Sequence, residues 1–173
     1  MYIPREDSFL LQQVLKRYLK HKDKKIKILD LGTGSGIQAE TCINLNFKNI
    51  LAADIEKEAI NYAKTKKIKS VKSNIFSIIR RKFDLIIFNP PYLPEGKYDK
   101  KKDTSGGRKG DETILKFLRQ VKSHLNSKGE ILLLLSSFTP QVKINKILKD
   151  FRAKKLAEKK LFFEKLEILK LIR

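Results

Sequence analysis

Short apolar runs alternate along this chain with longer stretches whose apolar residues recur every three or four positions. Residues 26–30, 50–53, 68–72, 83–88 and 130–135 read as buried strands, and 37–46, 56–66, 111–125 and 140–151 as amphipathic helices. Such alternation predicts an α/β fold around a mostly parallel sheet, because parallel neighbours need a crossover, usually a helix. A further helix over 7–20, spaced by Phe9, Leu10, Val14, Leu15, Tyr18 and Leu19, precedes the first strand, with Asp7 or Ser8 as its cap. Residues 75–82 are poorly periodic. Near the C-terminus Leu161-Phe162-Phe163 and Leu166 to Leu171 read as a closing hairpin or an antiparallel last pair. The aperiodic connection 92–110, rich in Lys, Asp and Gly, has the length of a functional or mobile loop.

The ends of the predicted strands carry the chemistry. The first runs into Asp30-Leu31-Gly32-Thr33-Gly34-Ser35-Gly36, whose glycines permit a sharp turn and close approach of a ligand at the mouth of a helix. The spacing is G-x-G-x-G rather than the dinucleotide G-x-G-x-x-G. Asp30 also puts a carboxylate where a pyrophosphate would sit, which favours a cation. The second strand ends in Asp54, a position from which α/β folds grip ribose hydroxyls. A ligand with a ribose, an ammonium and a sulfonium meets these requirements, and S-adenosylmethionine is that ligand.

The fourth strand ends in Asn89-Pro90-Pro91-Tyr92. A planar NH₂ is a poor nucleophile because its lone pair is delocalised. If the Asn89 side-chain oxygen and the Pro90 carbonyl accept its hydrogens, the nitrogen can pyramidalise as it attacks, its growing charge met by fixed dipoles. The prolines stiffen the backbone without adding donors, and Tyr92 offers a ring face to a flat substrate or a cationic methyl donor. The plainer reading of Asn-Pro-Pro is a strand-ending turn. The ordered set decides against it: Asp30 to Gly36, Asp54, Asn74 and Asn89 to Tyr92 fall at successive strand ends, where open parallel sheets bind ligands.

These residues resemble the class I S-adenosylmethionine-dependent methyltransferases, and more narrowly the HemK-like glutamine N5-methyltransferases that modify the Gly-Gly-Gln loop of class 1 translation release factors. The narrower likeness rests on Tyr2-Ile3-Pro4-Arg5-Glu6-Asp7-Ser8-Phe9-Leu10-Leu11, similar to the Tyr-x-Pro-x-Glu-Asp-Thr-x-Leu-Leu opening of the archaeal and eukaryotic branch. Gly106-Gly107-Arg108-Lys109-Gly110 is similar to its Gly-Gly-Arg-x-Gly loop. The resemblance implies a Rossmann-like, seven-stranded, mostly parallel sheet with helices on both faces and an antiparallel last strand, spanning 1–173 as one methyltransferase domain. The opening motif leaves no room for the helical N-terminal substrate domain of the bacterial members. By position, Ser8, Asp30, Gly32, Gly34, Gly36, Asp54, Asn74, Ile75 and Asn89 would contact the cofactor, and Asn89, Pro90, Pro91 and Tyr92 would receive the glutamine amide. Three residues depart from the family pattern: Ser8 for Thr, Asn74 for the usual Asp, and Ser105 where Trp is often found. Glu6 and Asp7 either cap the first helix or close over the cofactor; spacing favours the cap, the resemblance the second reading. Relatives of this branch work with a small zinc-binding activator subunit added beside the third strand.

Composition adds less. The single cysteine, Cys42, falls in a helical stretch and suits a buried apolar role, and a reducing cytoplasm is the simplest setting. No run approaches a membrane span, no signal peptide opens the chain, and His21 and His124 sit at predicted surface positions without metal-ligand spacing. A net charge of +20 draws nucleic acid or an acidic protein, and the runs 64–72 and 97–109 are candidate contacts for RNA or a ribosomal surface. The lysines are nevertheless scattered through every segment, which also fits a general compositional bias. Two other readings therefore stand beside protein-glutamine methylation: methylation of an exocyclic amine in RNA or DNA, and a non-catalytic basic binding module. Intact Asp54 and Asn89 argue against the module.

Overall fold

The computed structural model describes residues 3–93 and 106–173. Tyr2, Ser105 and most of the basic run 97–109 lie outside the described residues. Seven strands, β1 (Ile28–Leu31), β2 (Ile50–Asp54), β3 (Ser70–Lys72), β4 (Phe83–Phe88), β5 (Leu125–Ser136), β6 (Arg152–Lys160) and β7 (Lys165–Ile172), form one sheet. Its order is β3-β2-β1-β4-β5-β7-β6. The five strands β3 to β5 pair in parallel, and only β7 runs antiparallel to both its neighbours. This is the expected Rossmann-like sheet, antiparallel strand included.

β1, β2 and most of β4 are buried on both faces, which is why they read as continuous apolar runs. One face packs Leu29, Leu31, Ile86, Phe88, Leu133 and Leu171 against α4 (Glu112–Gln120) and α5 (Gln141–Leu148). The other packs Ile28, Ala52, Leu85, Ile87 and Leu132 against α1 (Glu6–Leu19), α2 (Ile37–Asn44) and α3 (Lys57–Thr65). Cys42 is buried and unpaired, and burial pushes its thiol up from the ordinary value. Glu130 on β5 fastens α1 to the sheet, accepting from Tyr18 Oη, from Lys22 Nζ at 2.6 Å and from Lys170 Nζ at 3.2 Å. Among the described residues no helix is long and apolar enough to cross a membrane.

Several boundaries differ from the sequence expectation. The helix read over 111–125 stops at Gln120 and passes through a 3-10 turn, Val121–His124, into β5. His124 is half-buried there, stacked on Phe76 with its Nε2 3.0 Å from the Ile79 carbonyl oxygen. Ile68 does not begin β3. Its N–H bonds Ala63 O, closing α3 around Lys67 at φ 58°, a left-handed helix end that gives the sequence no glycine signal. The largest departure is β6: Arg152–Lys160 is an exposed, lysine-rich edge strand with no apolar alternation to announce it, and Leu161-Phe162-Phe163 form the turn. Charged edge strands resist pairing with other chains, so their pattern answers solubility, not a core.

Candidate active site

The C-terminal ends of β1, β2 and β4, the first residues of α1 and the β6–β7 turn line one cleft of about 720 Å³. Ser8, Asp30, Gly32, Gly34, Asp54, Asn74, Ile75 and Asn89 to Tyr92, separated by up to more than eighty positions, all meet in it. Gly36 does not line it but stands at the N-cap of α2 and closes the turn.

That turn needs its glycines. Gly32, Gly34 and Gly36 have φ of 64°, 50° and 79°, the left-handed region that strains other residues. A Cβ on Gly32 would also lie 3.3 Å from the Phe88 ring. Asp30 ties strand to turn and helix: Oδ2 accepts from Thr33 Oγ1 at 2.6 Å and from the Ala39 N–H at 3.1 Å. Burial pushes its carboxyl up to about 7, with those two hydrogen bonds opposing and the Asp54 charge adding to the rise. Asp54 has its own structural work. Its Oδ2 accepts from the Gly34 N–H at 2.8 Å and its Oδ1 from the Glu56 N–H at 2.9 Å, leaving one lone pair on each oxygen for a ligand.

At the end of β3, Ile75 is buried with φ 56°, a strained conformation for a β-branched residue that costs on the order of 1–3 kcal/mol and persists where the surroundings impose it. The Ser73 hydroxyl holds its carbonyl at 2.8 Å. Asn74, beside it, is exposed, and its Oδ1 receives Lys116 Nζ at 2.9 Å.

The end of β4 is the most constrained part. Asn89 Nδ2 donates to Asp7 Oδ2 at 3.0 Å, and Asp7 Oδ1 accepts the Ser8 N–H at 2.6 Å. Asp7 is therefore no helix cap: the helix starts at Glu6 with Arg5 in the cap position and no side-chain cap bond, and the Asp7 carboxylate turns to the cleft instead. The amide has only one end left. Asn89 Oδ1 is buried and has no hydrogen-bond partner among the described residues. Gly106 packs on this backbone, donating its N–H to Leu93 O at 2.8 Å, and a Cβ there would lie 2.3 Å from Gly110 O and 2.7 Å from Pro91 O. The Gly-Gly-Arg-Lys-Gly segment is thus a buttress of the Asn-Pro-Pro-Tyr turn.

Gln38 escaped the sequence reading. It is buried and lines the cleft, donating Nε2 to Ser8 O at 2.9 Å, and its Oε1 is a second buried acceptor without a partner among the described residues. Nothing in its helical context distinguishes it from an exposed glutamine. Among the described residues the lining is rich in acceptors: six acids, Glu6, Asp7, Asp30, Asp54, Glu56 and Glu164, against one cation, Arg5. In a chain of net charge +20 that is a local inversion of sign.

Residues 8–165 match the model of the methyltransferase small domain family. A protein of Methanocaldococcus jannaschii named as a candidate N5-glutamine methyltransferase is 33% identical over 183 residues, covering 98% of this chain and 90% of that one. The release factor glutamine methyltransferase of Borreliella burgdorferi is 34% identical over 175 residues, covering 88% of this chain and 57% of its own length, so the chain spans little more than half of that relative. Among solved structures, that of the Mtq2–Trm112 complex of E. cuniculi, responsible for methylation of the translation termination factor eRF1, superposes with a TM-score of 0.79 at 23% identity, over 99% of this chain and 98% of the other.

Proposed function

The chain belongs to the methyltransferase small domain family, and we propose that its acceptor is the side-chain amide nitrogen of a glutamine and its methyl donor S-adenosylmethionine. The glutamine is that of the Gly-Gly-Gln loop of a class 1 translation release factor; in support, the B. burgdorferi relative is named a release factor glutamine methyltransferase and the E. cuniculi complex is responsible for methylation of the termination factor eRF1.

The observation that carries this reading is the fixed amide of Asn89. With Nδ2 held by Asp7, Oδ1 is a buried acceptor lacking a donor among the described residues, a state that costs about 1–3 kcal/mol until one arrives. A carboxamide NH₂ supplies two donors in a plane. Asn89 Oδ1 and the Pro90 carbonyl would take one each, and these bonds strengthen as the nitrogen loses planarity and gains charge, so they favour the transition state over the ground state. Tyr92 packs partly on the α1 side of the core and supports the flat amide from the cleft wall. No strong base is needed, because the extra proton becomes acidic on the charged nitrogen and can leave to water.

The donor's fit rests on the same lining. Asp30 and the partnerless Gln38 Oε1 suit an ammonium, Arg5 a carboxylate, and the free lone pairs of Asp54 a ribose hydroxyl pair. Asn74 and the strained Ile75 stand where an adenine edge would meet backbone and amide groups, Ser8 completes the wall opposite, and Gly32 and Gly34 admit close approach. When bound, the donor supplies a methyl already activated by a sulfonium; what the protein adds is alignment.

A small zinc-binding activator subunit belongs to the proposal as well: among the described residues β3 pairs only with β2 and leaves one edge of the sheet open, the arrangement that strand addition uses. Incubation with radiolabelled donor and release factor tests the whole reading. Label should appear on the factor, vanish when the glutamine of its Gly-Gly-Gln loop is replaced, and survive nuclease treatment. Label found in RNA alone, and lost to nuclease, would transfer the assignment to base amines.

A further inference from the structure

The β6–β7 turn puts two phenylalanines where turn chemistry asks for neither. Leu161 N–H closes the turn on Glu164 O at 2.7 Å, and Phe162 and Phe163 occupy its two central positions, 93% and 81% exposed. Such positions favour Gly, Asn, Asp or Pro for reasons of conformation and solvation, and an exposed pair of large aromatic rings is a cost to a free protein. The rings lie edge to face, centroids 4.5 Å apart, so they form one patch.

The patch stands at the mouth of the cleft. Its flanking residues Leu161 and Glu164 line the cleft, as does Phe138, itself 44% exposed in the loop between β5 and α5. The two segments are fastened together: Ser136 Oγ donates to Glu164 Oε1 at 2.5 Å, Ser137 N–H to Lys165 O at 2.9 Å, and Lys165 N–H to Ser137 Oγ at 2.9 Å. The aromatic side chains are thus presented on a braced support, which limits the entropy lost when something binds them.

Charge decides what that something is. A phosphate backbone threading to Asn89 would pass a lining that carries, among the described residues, six acids and one cation, which repels polyanions although the chain as a whole attracts them. An uncharged apolar surface on a protein meets no such barrier. We propose that Phe138, Leu161, Phe162 and Phe163 form a docking rim for the body of the protein substrate, seating an uncharged apolar patch next to its acceptor loop. This rests on the reading of the cleft as a glutamine methyltransferase site and adds how the substrate is recognised.

The test is a double substitution, Phe162→Ser with Phe163→Ser, on exposed positions outside the donor-binding and transfer machinery. The KM for intact release factor should rise tenfold or more, with kcat at saturation within about twofold and donor affinity by calorimetry unchanged. A wild type that labels the factor and a variant with the same KM would overturn the rim while leaving the activity in place. A wild type that never labels the factor would overturn both. If the double variant instead converts a wild-type dimer to monomer in light scattering, the patch is a contact between copies, and the rim falls as well.

Discussion

Exchanging the two side chains that meet at 3.0 Å, Asp7 and Asn89, tests whether one hydrogen bond sets the direction of the acceptor amide. Asn89→Asp alone places two carboxylates at that distance, a repulsion of about 5 kcal/mol at an effective dielectric near 20. The pair must then capture a proton or splay apart, and either response spoils the acceptor, so methyl transfer should fall at least a hundredfold. Asp7→Asn alone removes the charge that prefers Nδ2 and lets the Asn89 amide turn over. The lost charge-assisted bond is worth about 1.5–3 kcal/mol, or roughly ten- to a hundredfold in rate. In the exchanged protein the introduced amide at position 7 can donate to the carboxylate at 89, whose other oxygen then replaces the native acceptor. The exchange should recover at least tenfold over Asn89→Asp, which with the loss expected of Asp7→Asn is a coupling of about 3 kcal/mol or more. Initial rates of label transfer to release factor measure it, and calorimetry with the donor establishes that binding is retained. Losses that simply multiply, with coupling under about 0.5 kcal/mol, would refute the claim that Asp7 aims Asn89.

Gly106→Ala drives a methyl into the carbonyls of Gly110 and Pro91, so it should depress kcat at least tenfold while donor affinity stays within about twofold; equal kcat would show that the buttress is dispensable. Asp30, its carboxyl pushed up to about 7, keeps a proton in the folded state that the unfolded chain releases near its ordinary value of 3.8. Its contribution to stability is therefore full at low pH and is lost as pH rises from about 4 to about 7, by up to about 1.4 kcal/mol per pH unit. Urea unfolding should show that slope in wild type and a flatter one in Asp30→Asn. A cationic donor favours the ionised form, so its affinity should fall about tenfold from pH 8 to pH 6 in wild type and not in Asp30→Asn; a slope that survives in the variant would assign it to another group. Lys67→Gly, at φ 58° in the closing turn of α3, should stabilise the fold by about 0.5–1 kcal/mol in the same unfolding experiment, and a loss of stability would contradict the strain ascribed to that turn.

What the sequence made legible follows from which forces act locally. β1, β2 and β4 announce themselves because both faces are largely buried and all but one position in each strand is apolar, and the alternation with helices leaves few topologies for a parallel sheet. β6 stays silent for the converse reason: its partner β7 holds it by backbone hydrogen bonds, while Arg152 to Lys155 and Glu158 to Lys160 face water and encode only solubility. The helix end at Lys67 is equally silent, since a left-handed lysine leaves no mark on the chain, whereas Asn46, a residue that commonly closes a helix, falls at the end of the helix read over 37–46.

The cleft divides along the same line. Asp30, the glycines, Asp54 and Asn89 to Tyr92 are readable because each sits at a strand end and obeys a local rule of backbone or charge. Asp7 and Gln38 obey no such rule. Asp7 looks like a cap because an acid in a first helical turn commonly is one, and only the approach of β4, 82 positions later, gives its carboxylate a better donor. Gln38 is an ordinary glutamine in an amphipathic helix until Ser8 takes its Nε2 and leaves Oε1 buried without a hydrogen-bond partner among the described residues. In both cases the functional property is the orientation of an amide, and an amide is symmetric in shape but opposite in hydrogen-bonding sense at its two ends. Which end is left for a ligand is settled by the partner that occupies the other, and both partners, Asp7 for Asn89 and the Ser8 carbonyl for Gln38, lie in the first turn of α1. That turn therefore orients the acceptor at the end of β4 and a second buried acceptor on α2 together, which makes the helix ahead of the sheet part of the site.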